Sequence, residues 1–251
     1  MTENFISLHQ VNLHYASVAY KERSLKSLMA NALKTRRAKA VFSDIHALKD
    51  ISLTIHQGER VGLLGHNGAG KSTLLKTIAG LYPISGGEIQ VQGQVRSLFD
   101  LSLGFEPDAT GRENILYRGL LLGLSPKFIA QKKEEIIKFA DLGEFIDYPI
   151  KTFSAGMQVR LAFAISTSVG GDILLLDEVI GAGDANFMVK AKNRITSLIE
   201  QSKILVLASH DFSALKSLCH RGIVFHQGEL VFDGEILKAI DIYNKVNGMT
   251  I

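Results

Sequence analysis

A phosphate-binding pattern at residues 65–72, G-x-x-x-x-G-K-S, constrains what this chain can fold into more than any other feature. The apolar run Val61–Leu64 before it indicates a short buried strand, and Ser72–Ala79 after it indicates a helix. Glycines let backbone N–H groups turn toward a phosphate, and the helix N-terminus adds its positive dipole end. The sequence therefore predicts a phosphate loop. Its candidate binding residues are Gly65, His66, Asn67, Gly68, Ala69, Gly70, Lys71, Ser72 and Thr73.

Four side chains complete the predicted chemistry of a nucleotide site. Lys71 supplies a positive charge for the β- and γ-phosphates, and Ser72 supplies a hydroxyl for Mg²⁺. Asp177 ends a second buried strand, Ile173–Leu176, where a carboxylate can hold the Mg²⁺ that bridges the phosphates. Glu178 follows at once and can polarise an attacking water, although an acidic pair can also be a solvated strand end.

A histidine follows a third buried run, Ile204–Leu207, in the segment that continues to His210. A histidine that stands alone, outside a recognised motif, is more often structural than functional. This one, however, ends the next buried strand after that of Asp177, and parallel strands end at one sheet edge. We therefore expect His210 to contact the γ-phosphate.

Strands that alternate with helical stretches predict an α/β fold with a parallel sheet covered on both faces. Two segments ahead of the phosphate loop, Phe5–Val11 and Leu48–Ile55, alternate polar and apolar residues and predict antiparallel strands. From Glu113 to Ile165 the pattern turns helical, so we expect a helical insert in the α/β core.

Composition excludes several classes of protein. With 46% hydrophobic and 21% charged residues, the chain is neither disordered nor poor in core-forming residues. A single cysteine, Cys219, excludes an internal disulfide, and no apolar run approaches the ~20 residues of a membrane-spanning helix. The start at Met1 has no signal-peptide pattern. We therefore expect a cytoplasmic protein.

The net charge of +3 is unevenly distributed, because the segment 21–39 carries a local net charge of +6. Leucines and other apolar residues recur in this segment at helical spacing. It is a candidate basic amphipathic helix that contacts anionic lipid, or else a surface helix with a solvated charged face. Its basic residues are Lys21, Arg23, Lys26, Lys34, Arg36, Arg37 and Lys39.

The segment Thr152–Gln158 lies shortly before the Asp177 strand and resembles the LSGGQ signature of ATP-binding cassette (ABC) transporter subunits. Phe153 replaces the signature leucine and Ala155 replaces its first glycine, whereas Ser154 and Gly156 are retained. The resemblance implies a P-loop NTPase core of the RecA-like type, with an antiparallel β subdomain and a helical subdomain. It also implies that Ser154, Ala155 and Gly156 contact ATP bound to a second copy of the chain.

Other sequence elements of the family match this chain less closely. Residues 181–184 resemble the loop that contacts the partner subunit, which makes Asp184 a candidate site residue. The family's glutamine before the helical segment is missing, so Asp100 is the candidate for a replacement metal or water contact. An aromatic side chain usually stacks on the adenine. Tyr15 fits this role, and His46 is the alternative.

One branch of the family fits best, namely the subunits that export cell-surface polysaccharides. The resemblance rests on Phe153–Ala164, Gly104–Pro107, Thr110–Asn114, Gly183–Phe187 and the basic insertion. It implies an ATPase that uses Mg²⁺ and exports lipid-linked polymer, with O-antigen preferred over capsule or teichoic acid. At 251 residues, we expect the chain to lack the carbohydrate-binding domain of some relatives.

The same resemblance implies partners and a location. We expect a homodimer on the cytoplasmic face of the inner membrane, bound peripherally to a separate transmembrane permease. The cytoplasmic helices of the permease would dock near Asp100–Gly111. We expect one domain, with the core at about 1–100 and 166–251 and the helical part at about 101–165. The rival hypotheses are a soluble cassette ATPase that acts on nucleic acid and a small-molecule P-loop kinase.

Overall fold

The computed structural model describes residues 3–18, 42–99, 104–177, 185–246 and 248. These residues form nine strands and seven α-helices. The strands are β1 (Phe5–Val18), β2 (Phe42–His56), β3 (Arg60–Leu64), β4 (Gly86–Gln92), β5 (Val95–Ser97), β6 (Ile173–Asp177), β7 (Ile204–Ala208), β8 (Arg221–His226) and β9 (Glu229–Glu235). The helices are α1 (Lys71–Ile78), α2 (Gly111–Leu121), α3 (Pro126–Ala140), α4 (Ala155–Ser166), α5 (Ala185–Gln201), α6 (Phe212–Leu218) and α7 (Ile236–Val246).

A six-stranded sheet in the order β5-β6-β7-β3-β8-β9 forms the centre of the fold. All neighbouring pairs are parallel except β8 and β9, which form an antiparallel hairpin. The central strands β3, β6 and β7 are apolar and almost wholly buried, as expected for a parallel sheet covered on both faces. The carboxyl ends of these strands therefore meet at one edge.

A second sheet, in the order β2-β1-β4, is antiparallel. Its buried side chains, among them Ile6, Leu8 and Ile55, share one core with Leu74 and Leu75 of α1. This packing holds α1 between the two sheets, and so fixes the loop that leads into α1 from β3.

The helices α2, α3 and α4 form a separate cluster around Ile115, Ile129 and Leu161. Thr110 and Glu113 form a capping box at the start of α2, which satisfies backbone donors that the helix leaves open. Ser125 caps α3 and is followed by Pro126 at the first helical position. Local sequence signals thus set the starts of both helices.

The α/β arrangement, the antiparallel strands and the helical insert agree with the sequence prediction, and several boundaries differ. The strand β1 runs to Val18, beyond the predicted end at Val11, and includes Tyr15. The helix α4 begins at Ala155, because Ser154 caps it. The predicted basic helix at 21–39 lies outside the described residues.

No helix within the described ranges is both long enough and apolar enough to cross a bilayer.

Candidate functional site

The phosphate loop connects the buried end of β3 to the first turn of α1. Gly68 and Gly70 have φ angles of +81° and +112°, a region that residues with a Cβ rarely adopt. A Cβ on Gly65 would lie 2.7 Å from the carbonyl oxygen of Phe225. Glycine at these three positions is therefore required by the path of the loop, as the pattern predicts.

Lys71 is the most buried charged group of this loop, with 6% of its surface exposed. Its Nζ donates to the carbonyl oxygens of Gly65, at 2.5 Å, and His66, at 3.2 Å. The ammonium group is thus held inside the loop, where a phosphate would sit. No side chain caps α1 at Gly70, so backbone N–H groups of its first turn are open to an anion.

Asp177 and His210 lie near the loop because of the strand order. Asp177 ends β6 opposite Ala208 of β7, and Ala208 also pairs with Leu63 of β3. His210 follows β7 by two residues, and its Nε2 lies 3.1 Å from Oδ1 of Asn67 in the loop. The structure thus brings His210 to the phosphate loop, and puts Asp177 at the same sheet edge.

The donor set of this edge fits Mg²⁺. Ser72 is exposed in the first turn of α1 and offers a hydroxyl oxygen, and Asp177 is half-buried and offers a carboxylate. The described residues hold no cluster of three or more His, Cys, Asp or Glu suited to a metal. Mg²⁺ takes few protein ligands and fills the rest of its shell with water and substrate phosphates, so a hydroxyl and a carboxylate suit it.

The two candidates for an adenine contact lie in different settings. The Tyr15 hydroxyl is 3.1 Å from Oγ1 of Thr73, and the Tyr15 ring meets the edge of Tyr82 at a centroid distance of 5.7 Å. His46 stacks on His14 with ring centroids 4.0 Å apart. Tyr15 therefore lies beside α1, while one face of His46 is covered. Both roles remain predictions.

The signature segment forms the N-terminus of α4. The Oγ of Ser154 accepts a hydrogen bond from the N–H of Met157 at 3.3 Å, and Ser154 and Ala155 are exposed. Gly156 has open space where a Cβ would be, since its nearest contact is Ser154 Oγ at 3.9 Å. Phe153, which departs from the family pattern, is 6% exposed and anchors this turn in the helical cluster. The turn thus presents a helix N-terminus to the outside.

Asp100, Glu178 and Asp184, the remaining candidate residues, lie outside the described residues.

The loop Gly104–Thr110, which lies within the segment Asp100–Gly111 where the sequence predicted docking of the permease, precedes α2. Its anchor is Asn114, fully buried, whose Nδ2 donates to the carbonyl oxygens of Glu106, Ala109 and Thr110 at 2.9 to 3.2 Å. Its Oδ1 accepts from the N–H of Glu106 at 2.7 Å. The capping box was the available sequence signal for this turn, because it fixes where α2 starts.

Arg118 supports the same loop from the next turn of α2. Its guanidinium lies 4.6 Å from the centre of the Phe105 ring, a cation–π contact. Burial lowers the pKa of Arg118 to about 10, so the group is still charged at neutral pH. The contact therefore orders the aromatic side chain beside the exposed face of α2.

Asn114→Ala should destabilise the protein by about 1 to 3 kcal/mol, because it removes the four side-chain hydrogen bonds that tie the loop to α2 and leaves the N–H of Glu106 without its partner. Urea denaturation followed by circular dichroism measures this effect. Asn193→Ala, the same change on the exposed face of α5, is the matched control and should leave the midpoint unchanged. Equal midpoints for the two variants would show that Asn114 does not hold the loop.

Comparison with known proteins gives concordant results. A sequence model of the family described as "ABC transporter" matches residues 48–181. The O-antigen export system ATP-binding protein RfbE of Yersinia enterocolitica is 49% identical over 177 residues, which is 70% of this chain and 74% of the relative. The corresponding protein RfbB of Myxococcus xanthus is 43% identical over 78% of this chain, and the match spans only 45% of that relative's length.

A second class of relative is also present. The teichoic acids export ATP-binding protein TagH of Listeria innocua is 41% identical over 79% of this chain and 59% of its own length. Among solved structures, the ATP-binding cassette MJ0796, a dimer bound to ADP and Pi, has a TM-score of 0.66 at 22% identity. That match covers 92% of this chain and 98% of MJ0796, and supports the fold.

Proposed function

The chain belongs to the ABC transporter family and is an ATPase subunit of that family, and from this premise we propose that it drives export of a lipid-linked cell-surface polysaccharide, O-antigen, across the cytoplasmic membrane. The observation that carries the proposal is the convergence of Lys71, Asp177 and His210 at one sheet edge. The similarity to O-antigen export subunits supplies the substrate class.

The loop residues bind and orient ATP. Backbone N–H groups of the loop and of the first turn of α1 surround the β- and γ-phosphates, and Lys71 contributes the charge. Ser72 and Asp177 would hold Mg²⁺, which neutralises charge that develops on the phosphates. Tyr15, beside α1, is the proposed contact for the adenine.

Hydrolysis needs a base that orients the attacking water and a group that contacts the γ-phosphate. We assign Glu178, the residue after β6, as the base that orients the attacking water. His210 donates a hydrogen bond to the γ-phosphate, since its ring already reaches the loop.

Two copies of the chain would enclose two ATP molecules. The exposed N-terminus of α4, at Ser154–Gly156, suits an anion presented by the opposite copy, because no acidic residue lies in its first turn. Asp184 would contact that copy as well. ATP binding would then close the dimer, and hydrolysis would reopen it.

A membrane partner would dock on the helical cluster. The outward side chains of α2, Leu116, Tyr117, Leu120 and Leu121, are exposed, and Leu121 is 74% exposed. They adjoin the ordered loop Gly104–Thr110, since a Cβ on Gly104 would lie 3.2 Å from Leu121. A contiguous apolar patch of this kind is typical of an interaction site. We propose that it receives cytoplasmic helices of the permease, which also gives the chain its peripheral location.

The basic segment 21–39 would add a second contact with the membrane system. Each basic residue near an anionic leaflet contributes ~1 kcal/mol of binding. The segment would lie against anionic lipid, the pyrophosphate of the lipid-linked substrate, or the permease.

Deletion of the gene in its host tests the function. We expect loss of O-antigen from the cell surface and accumulation of lipid-linked polymer inside, with both defects reversed by the wild-type gene and not by Lys71→Ala. Loss of capsule or teichoic acid instead would reassign the polymer but keep the ATPase role. Normal surface polysaccharides of every class would contradict the proposal.

A further inference from the structure

Two loops that meet at the phosphate site are joined by a side-chain contact. Nε2 of His210 lies 3.1 Å from Oδ1 of Asn67, although 143 residues separate them in sequence. The contact exists because β3 and β7 are parallel neighbours, with Leu63 paired to Ala208. Both loops therefore leave the sheet at the same edge.

The His210 side of this contact is held in place by local hydrogen bonds. Oγ of Ser209 accepts from the N–H of Asp211 at 3.0 Å. Oδ1 of Asp211 accepts from the N–H groups of Ser213 and Ala214, at 2.8 and 3.2 Å, and so caps α6. The turn that carries His210 is thus fixed at both ends.

The Asn67 side is held as well. Nδ1 of His66 lies 2.7 Å from the carbonyl oxygen of Asn67, and the His66 ring meets the edge of His226 at 5.4 Å. Gly68, the next residue, has a φ of +81°, which sets the direction of the chain after Asn67. Little further ordering is needed for the two side chains to meet.

The chemistry of the contact selects one tautomer of His210. An amide oxygen only accepts hydrogen bonds, so Nε2 must carry the hydrogen. A phosphate oxygen is likewise an acceptor and needs the same Nε2–H. The alternative tautomer, with hydrogen on Nδ1, would point a lone pair at the phosphate.

We propose that Asn67 is a positioning residue that holds His210 as the Nε2–H donor before ATP binds, and that a γ-phosphate oxygen then replaces the amide oxygen as acceptor. The catalytic part of this inference rests on the proposed function, because it takes His210 as the γ-phosphate contact. The tautomer selection concerns the nucleotide-free protein alone.

Nuclear magnetic resonance of the nucleotide-free, histidine-labelled protein at pH 8 tests the tautomer. The His210 signal is identified as the one that disappears in His210→Gln. In wild type we expect its ring nitrogen and carbon shifts to report Nε2–H, and in Asn67→Ala we expect a shift toward the Nδ1–H form. Asn193→Ala, the same change on the exposed face of α5, should leave the signal unaltered. A His210 signal that is the same in wild type and Asn67→Ala would overturn the proposal.

Kinetics test the consequence for the reaction. Asn67→Ala should lower kcat/KM for ATP ~3- to 10-fold, because His210 is then not held as the Nε2–H donor in the free protein, while the Kd for ADP stays within ~2-fold, since ADP has no γ-phosphate. Asn67→Ser restores an oxygen acceptor and should recover part of kcat/KM. A parallel loss of ADP affinity would mean that Asn67 only shapes the loop, and would overturn the proposal.

Different results would contradict the role of His210 at the γ-phosphate and its positioning by Asn67. If the tautomer shifts in Asn67→Ala but His210→Gln keeps the wild-type kcat, the positioning contact stands and the assigned role of His210 is wrong. If His210→Gln abolishes turnover while Asn67→Ala changes neither the tautomer nor kcat/KM, the role of His210 stands and the positioning by Asn67 is wrong.

Discussion

Lys71→Ala should remove most of the affinity for ATP. The Lys71 ammonium is almost fully buried and is held by two carbonyl oxygens of the loop. Loss of a buried charge opposite a charged partner costs about 3 to 5 kcal/mol, which corresponds to a ~10²- to 4 × 10³-fold weaker Kd. Isothermal titration of the purified protein with Mg²⁺ and ATP measures the change directly.

Controls separate the lost charge from a disturbed loop. Lys71→Arg keeps the charge in a larger, planar group and should bind ATP more weakly than wild type but better than Lys71→Ala. Lys127→Ala, at the exposed start of α3, should bind normally. Thermal melts without nucleotide show whether the alanine variant is folded. A folded Lys71→Ala protein with wild-type affinity would contradict the assigned phosphate site.

The parts of the fold that the sequence predicted are those with a strong local signal. The buried strands β3, β6 and β7 are short apolar runs, and each was placed to within one residue at either end. The loop between β3 and α1 followed from glycine spacing, because the positive φ angles of Gly68 and Gly70 leave little choice of residue. The core of the candidate site was therefore predictable.

The strands that were missed lack such a signal. The antiparallel hairpin of β8 and β9 turns through Gln227 and Gly228, which have φ angles of 49° and 84°. The usual sequence signal for this turn is Asn-Gly or Asp-Gly, and Gln-Gly is not specific enough. The strand β5 has only three residues, and its pairing with β6 defines it. Tertiary contacts decide both elements.

The contacts that complete the site also depend on the tertiary structure. Asn67 and His210 were each selected from the sequence, but their contact depends on strand order, which local periodicity does not encode. Asn114 looks like an ordinary polar residue in α2 until its four hydrogen bonds to the preceding loop are seen. Sequence patterns identify the chemistry of a residue, and the sheet order decides which residues meet.

Glu178→Gln should bind ATP and fail to hydrolyse it. Glutamine matches the size of glutamate but cannot accept the proton of the attacking water, so we expect a ~10²- to 10⁴-fold lower kcat with little change in Kd. Because Asp177, Lys71 and the loop are untouched, ATP would accumulate between two copies of the chain. Size-exclusion chromatography with light scattering should then show a dimer with Mg²⁺ and ATP, and a smaller species with ADP.

The outcome distinguishes the base from a merely structural acid. Glu200→Gln, the same change on the exposed face of α5, should hydrolyse ATP at the wild-type rate and form no lasting dimer. Ser154→Arg in the Glu178→Gln background should prevent the dimer, because it places a bulky side chain at the exposed N-terminus of α4. Wild-type turnover by Glu178→Gln would exclude Glu178 as the base. A stable dimer in the double variant would instead exclude the N-terminus of α4 as the surface that meets the second ATP.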